Sequence, residues 1–206
     1  DLDFASFDLI VALDCGSLSR TNLAPEIRAR KKEQLTIEFD HHPKIDNYSD
    51  LEIRIPEAAS TSEIIYFFLK ANYLKITKKL ANCVLTGILT DTGNFLYPST
   101  TEKTVSIASE MLLYGAKYPL ITEETWRNKS LGAMKLWGRA IGSLEINPRY
   151  NLAFAVLTKK DIDECQCSDE EMEGIAGFLS NLYGVNGLVL IREADKGLIK
   201  GNLRTS

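Results

Sequence analysis

The chain has two histidines in 206 residues, and they are adjacent, in Asp40-His41-His42. Imidazoles beside a carboxylate can move protons, hold a divalent cation or do nothing more than pair on a surface. A single histidine is commonly a surface group or a satisfied core residue. Two of them behind an acid, at the end of a predicted strand, ask for more explanation. Successive side chains on a strand point to opposite faces, yet where a strand ends the chain bends and both rings can reach one cleft. From spacing alone, a metal role and a plain structural or surface role both stand. Two further acids, Asp14 and Asp91, also close predicted elements. Carboxylates combined with imidazole form a donor set suited to manganese or a related divalent ion.

The elements that end at these residues are legible. Phe7 to Leu13 is a short, nearly continuous apolar run leading into Asp14-Cys15-Gly16. It is expected as a buried strand of a parallel sheet, and open α/β sheets place their ligands at the carboxyl ends of strands. A short helix is expected over Pro25 to Lys32, and a second strand over Leu35 to Phe39, ending in Asp40. A third strand, Leu51 to Ile55, is stopped by Pro56. Ser60-Thr61-Ser62-Glu63 then supplies helix-capping chemistry ahead of an apolar helix through Leu69. From Thr77 to Leu89, Leu80, Ala81, Val84, Leu85 and Ile88 recur at helical spacing, and Gly93 fits the stop after Asp91. An acid at a helix C-terminus opposes the macrodipole, which favours a ligand role for Asp91.

Further helices are expected over 101–114, 120–127 and 131–144. The last third reads as a strand over 152–157 and a helix over 169–182 with an acidic first turn. Two closing strands, 187–191 and 198–203, flank a turn at 194–197.

Composition narrows the classes. Hydrophobic residues make up 45% and charged residues 25%, enough apolar material for a packed core. No window approaches the roughly 18 uninterrupted apolar residues of a membrane span. The first ten residues lack the basic start and apolar run of a signal peptide, so a cytoplasmic protein is expected. The net charge of −4 argues against binding long nucleic acid, which is held mainly by Lys and Arg on phosphates. The four cysteines are too scattered for a disulfide scaffold, and Cys165 and Cys167 lack the further ligands of a zinc site. Cys15, beside Asp14, is expected to pack.

Asp40-His41-His42-Pro43 resembles the signature of the DHH phosphoesterases. Val11 to Gly16 (VALDCG) resembles that family's second motif and Gly87 to Phe95 (GILTDTGNF) its fourth, in the family's order. The Ser60 to Glu63 helix start falls between the third and fourth. The final GLIKGNLRTS resembles the start of the last motif region of the DHH-associated C-terminal domain. The resemblance implies an α/β fold. A parallel-sheet DHH domain would occupy 1–127, a linker helix 128–143 and a smaller α/β DHH-associated C-terminal domain 144–206, both domains incomplete. It also implies roles: Asp14 bridging two ions, His41 ligating the second, and Asp91 completing that second site. His42 would face the substrate phosphate or leaving group, Asp40 would orient the histidine pair, and Arg204 would reach a substrate phosphate. The implied metal is Mn2+, with Mg2+ or Co2+ as alternatives. Two such ions roughly 3.5–4 Å apart activate water and clamp phosphoryl oxygens.

Within the family, the lobe sizes resemble the nanoRNase and 3′-phosphoadenosine 5′-phosphate phosphatase branch. The implied partners are a very short oligoribonucleotide or a nucleotide bisphosphate, with no long nucleic acid and no membrane. Whether two copies form a homodimer is left open. Other readings are an inorganic pyrophosphatase or exopolyphosphatase, a cyclic-dinucleotide phosphodiesterase, or a non-catalytic nucleotide-binding module. The resemblance also calls for a first motif upstream of Asp14 and a glycine-rich stretch after Ser206, neither of which these residues contain. The expectation is a fragment cut at both ends, with one metal site partly intact and weak or no turnover.

Overall fold

The computed structural model describes residues 4–205, and the chain divides into two compact units, the first running to Thr122 and the second starting at Glu123. The first unit is built on a three-stranded parallel sheet of β1 (Leu9–Leu13), β2 (Leu35–Asp40) and β3 (Leu51–Arg54), in that spatial order. In register, Leu13 pairs with Phe39 and Asp40 with Arg54. The strands therefore end level, and Asp14, Asp40 and the residues that follow gather at one edge, the carboxyl end of a parallel sheet.

The alternation along β2 is unusual. Thr36, Glu38 and Asp40 share one face and all are buried. Buried carboxylates need partners, and register supplies one by placing Arg54 beside Asp40. On the opposite face Phe39 meets the Phe68 ring edge-on at 5.1 Å, which joins the sheet to helix α2 (Thr61–Ala71). β1 departs from the expectation of a fully buried strand: Leu9, Val11 and Leu13 are each about half exposed. The reason is position, since β1 is the edge of this sheet and only Ala12, on its inner side, is buried, against Leu18, Ile27 and Tyr48.

Helix α1 (Ala24–Arg28) is shorter than the expected 25–32. Helix α2 starts where the Ser60 hydroxyl accepts the Glu63 N–H. It packs with α3 (Lys78–Asp91), α4 (Glu102–Leu113) and α5 (Tyr118–Thr125) around Leu85, Ile88, Leu89, Ile107 and Met111. Gly87 sits where α3 meets α2, and a methyl group there would lie 1.9 Å from the Ser62 hydroxyl oxygen. At the end of α3, Asn94 N–H reaches Leu89 O at 2.8 Å and Gly93 N–H reaches Thr90 O at 3.3 Å, with Gly93 at φ +56°. This is a glycine-closed helix end of the Schellman type, and it fixes Asp91 as the last helical residue.

The second unit is a four-stranded mixed sheet, β4 (Glu145–Asn147), β5 (Leu152–Leu157), β6 (Gly187–Glu193) and β7 (Ile199–Thr205). β5 and β6 run parallel, and the outer pairs antiparallel. Helix α6 (Leu131–Gly142), within the segment read from sequence as a linker, buries Leu136 and Ala140 in this unit's core with Ala155, Leu157 and Leu188. Helix α7 (Lys159–Cys165) was not expected. Its signal is the reciprocal cap between Thr158 and Asp161. The helix expected over 169–182 is only α8 (Ile175–Leu179), because Gly174, at φ +90°, breaks the chain before it. All four cysteines carry free thiols. Among the described residues, no helix is long and apolar enough to cross a membrane.

Candidate metal centre

The centre begins at the turn after β1. Asp14 adopts φ +59° and Gly16 φ +66°, the left-handed region that costs a non-glycine residue roughly 1–2 kcal/mol. The Asp14 N–H donates to Phe39 O at 3.0 Å, which holds the turn against the end of β2. Gly16 is required twice over. Besides its φ, a methyl group there would lie 2.8 Å from Arg20 Nη1 and 3.5 Å from His42 Cγ.

Asp40, fully buried at the end of β2, ties this turn to the histidines. Its Oδ2 accepts the Gly16 N–H at 2.6 Å, and its Oδ1 accepts the His42 N–H and contacts His42 Nδ1, both at 2.8 Å. His41 Nδ1 lies 3.1 Å from the Ala58 carbonyl. A carbonyl only accepts, so that nitrogen carries the proton and neutral His41 presents a bare Nε2. That Nε2 is 3.5 Å from Asp14 Oδ1 and 3.8 Å from Asp91 Oδ2. His42 Nδ1 is 3.7 Å from the same Asp14 oxygen. The Thr61 hydroxyl, at the start of α2, donates to Asp14 Oδ1 at 2.6 Å.

Electrostatics separates the acids. Burial alone would raise the Asp40 pKa, but the main-chain N–H groups of His42 and Gly16 and the His42 ring outweigh it and hold the carboxyl below its usual range. Asp91 is pushed up, by burial first and then by the negative charge of Asp14, with only partial relief from the histidines. A carboxylate so placed, beside an imidazole nitrogen and a second carboxylate, suits a cation. Behind the site, Arg54 donates to Glu38 Oε1 at 2.7 Å and to the His42 carbonyl at 2.6 Å, and its guanidinium lies 3.6 Å from Asp40 Oδ2. Tyr48 and Ser49 hydroxyls complete the Glu38 shell at 2.8 and 3.2 Å. The Cys15 thiol is pushed up by burial and by the charges of Asp40 and Glu38, which disfavours a thiolate nucleophile.

Of the residues singled out in the sequence, Asp14, Asp40, His41, His42 and Asp91 converge in the first unit. Arg204 stands on β7 of the second unit, exposed, where it donates to Leu203 O. Sequence reading passed over Thr61, Arg54 and Gly16. Thr61 had been read only as part of a helix cap, and that task falls to its neighbour Ser60. Arg54's one signal was its place, on a strand that could pair with the strand carrying Glu38 and Asp40.

Donor atoms of Asp14, His41 and His42 lie within 4.8 Å of one another, and Asp91 faces the same His41 nitrogen. Oxygen and imidazole donors of this kind fit a divalent ion such as manganese, and thiolates are absent from the set. When bound, such an ion supplies Lewis acidity toward a phosphoryl oxygen and lowers the pKa of water. The chain's own residues fix the donors: Ala58 O and Asp40 set the two rings, and Thr61 sets the Asp14 carboxylate, the outer-shell arrangement common to metal sites.

Residues 3–88 match the model of the DHH family, N-terminal domain. A probable bifunctional oligoribonuclease and PAP phosphatase of Streptococcus mutans is 33% identical over 169 residues, 82% of this chain and 54% of that protein. The bifunctional oligoribonuclease and PAP phosphatase of Bacillus subtilis is 33% identical over 163 residues, 77% of this chain and 51% of that protein. The crystal structure of an exopolyphosphatase-related protein from Bacteroides fragilis superposes with a TM-score of 0.86 at 27% identity, over 98% of this chain and 60% of that one. The chain thus spans about half the length of the curated relatives it matches.

Proposed function

Because this chain belongs to the DHH family, we propose that it forms part of a phosphoester hydrolase acting on very short oligoribonucleotides and on 3′-phosphoadenosine 5′-phosphate. Asp14, His41 and Asp91 hold the divalent ion, with manganese the first choice. The observation that carries this reading is the convergence of acceptor atoms: His41 Nε2 lies 3.5 Å from Asp14 Oδ1, which also accepts the Thr61 hydroxyl, and 3.8 Å from Asp91 Oδ2. A divalent cation among them would be shared by all three.

In this reading His42 works on the substrate. Its Nδ1 is committed to Asp40, which leaves Nε2 to donate to, or accept from, the phosphate or leaving oxygen. Asp40 keeps that ring in one tautomer and one orientation. Short substrates are favoured over long strands because the chain is acidic overall, and the similarity to two bifunctional oligoribonucleases and PAP phosphatases points the same way.

The test is calorimetric titration of the chain with Mn2+ beside His41→Ala, followed by incubation with a diribonucleotide. Saturable Mn2+ binding that His41→Ala abolishes is the expected result, and any release of mononucleotides should depend on Mn2+. Equal binding by both proteins overturns the metal assignment. Cleavage of pyrophosphate, with the dinucleotide left intact, overturns the choice of substrate.

A further inference from the structure

We propose that Arg20 is a phosphate-binding residue of this same centre, its guanidinium gripping the non-reacting oxygens of the phosphoryl group that faces His42. The inference rests on the hydrolase reading above and adds to it a residue from the first unit.

Arg20 sits on a single 3-10 turn, Leu18–Thr21, directly after the Asp14–Gly16 bend. That turn is pinned at both ends. Leu18 is fully buried, its N–H donates to the Asp46 carboxylate at 3.1 Å, and the Thr21 hydroxyl donates back to Leu18 O at 2.7 Å. The Arg20 backbone is thus held, while its side chain is exposed. Its Nη1 and the Cγ of His42 flank the same point, 2.8 and 3.5 Å from where a Gly16 methyl group would be. The missing Gly16 side chain is what lets a guanidinium lie beside the imidazole.

That guanidinium is unspent. Among the described residues Arg20 makes no side-chain hydrogen bond and no ion pair, whereas Arg30, Arg54, Arg139 and Arg192 each hold a carboxylate. The neighbouring acids are already occupied. Both oxygens of Asp40 accept N–H groups, and the Thr61 hydroxyl takes Asp14 Oδ1. Where carboxylates outnumber cations, an unpaired arginine beside the substrate-facing histidine marks the place for an external anion. A planar guanidinium with parallel N–H groups matches two phosphate oxygens at once, which a lysine ammonium does not.

The test is calorimetric titration with adenosine 3′,5′-bisphosphate in Mn2+ buffer, comparing the parent protein, Arg20→Ala and Arg20→Lys. Mn2+ affinity and thermal unfolding are measured for each. The expected result is a loss of about 10- to 100-fold in nucleotide affinity for Arg20→Ala, the range of a hydrogen bond to a charged group. Arg20→Lys should recover only part of it, and Mn2+ affinity should not change. Affinity of Arg20→Ala within twofold of the parent overturns the proposal, as does a parent protein that binds no nucleotide. A parallel loss of Mn2+ binding also overturns it, since Arg20 would then be holding the cluster rather than the phosphate. Hydrolysis is read separately. Arg20-dependent binding by a protein that takes up no Mn2+ upholds the anion site and removes the metal-dependent hydrolase reading. Turnover that survives Arg20→Ala with unchanged KM removes Arg20 and leaves that reading intact.

Discussion

The Nδ1 of His42 lies 2.8 Å from Oδ1 of Asp40, a carboxylate with no solvent exposure. Because hydrogen bonds hold Asp40 below the usual carboxylate range, it is ionised at neutral pH and the imidazole nitrogen must be the donor. His41 is oriented differently, by the Ala58 carbonyl. Adjacent histidines are therefore oriented by separate partners, and in the proposed reading they take separate tasks: the His41 Nε2, turned among carboxylates, holds the cation, and the His42 Nε2 faces the substrate.

Asp40→Asn should destabilise the first unit by about 2 kcal/mol, because an amide offers an N–H group where three donors already point. The effect has a pH signature. A carboxyl with a lowered folded pKa contributes stability that is present above its ordinary range, roughly 3.9, and is lost as pH falls through the folded value. Urea unfolding of both proteins at neutral and acid pH should show the difference shrinking on acidification. A difference independent of pH would contradict this account of Asp40.

Asp91→Asn should do the reverse without metal. A carboxyl with a raised folded pKa costs nothing below the ordinary range. The cost grows as pH rises through that range and is complete above the raised value. The metal-free variant should be more stable at pH 7, by about 1 kcal/mol, while its Mn2+ affinity falls; trading stability for a functional charge is common at such sites. Thermal unfolding in chelator and Mn2+ calorimetry read the two effects, and a variant no more stable than the parent would show that Asp91 carries no strain.

The placement of these acids and histidines at the ends of elements was partly legible before the structure. Strand ends at Asp14 and Asp40, and a helix end at Asp91, follow from local patterns: apolar runs, a glycine stop and a cap at Ser60. What escaped depends on chain pairing over distance. Thr61 reaches Asp14 across 47 residues, and no local pattern distinguishes it from Ser60 or Ser62. Arg54 became important only when parallel register set it beside Asp40. The acidic run 169–173 imitates a helix start in composition, but Gly174 at φ +90° overrides that signal and the helix begins only at Ile175; the Thr158–Asp161 cap starts a separate helix, α7. The apolar run of β1 suggested burial on both faces, and edge position left one face half exposed.

Thr61→Val isolates the hydroxyl that steadies Asp14. The helix cap belongs to Ser60, so folding should change by no more than about 1 kcal/mol. Mn2+ affinity should fall about tenfold, as for other residues that support a metal ligand from behind. A protein saturated at a hundred times its Kd gains about 2.7 kcal/mol from a ligand. Unfolding at one fixed Mn2+ concentration should therefore separate parent, Thr61→Val and Asp14→Ala in that order. Identical Mn2+ stabilisation of parent and Thr61→Val would show that Asp14 needs no such support.

Arg54→Ala should be the most damaging single change in the first unit. The Arg54 side chain is 8% exposed, and it faces Glu38 and Asp40, at 1% and 0%. Removing it leaves two buried carboxylates with no neighbouring cation, a loss of roughly 3–5 kcal/mol. It also frees the His42 carbonyl that Arg54 Nη1 holds, so Mn2+ binding should weaken in whatever fraction stays folded. The charge argument is separable from the packing argument. Glu38→Gln removes one of the two charges, and in the Arg54→Met background it should recover part of the lost stability, because the methionine keeps the volume and only Asp40 then stays uncompensated. Chemical denaturation of the four proteins in that cycle measures the coupling directly. A strictly additive result would mean that Arg54 stabilises the strand end by packing and not by balancing the buried acids.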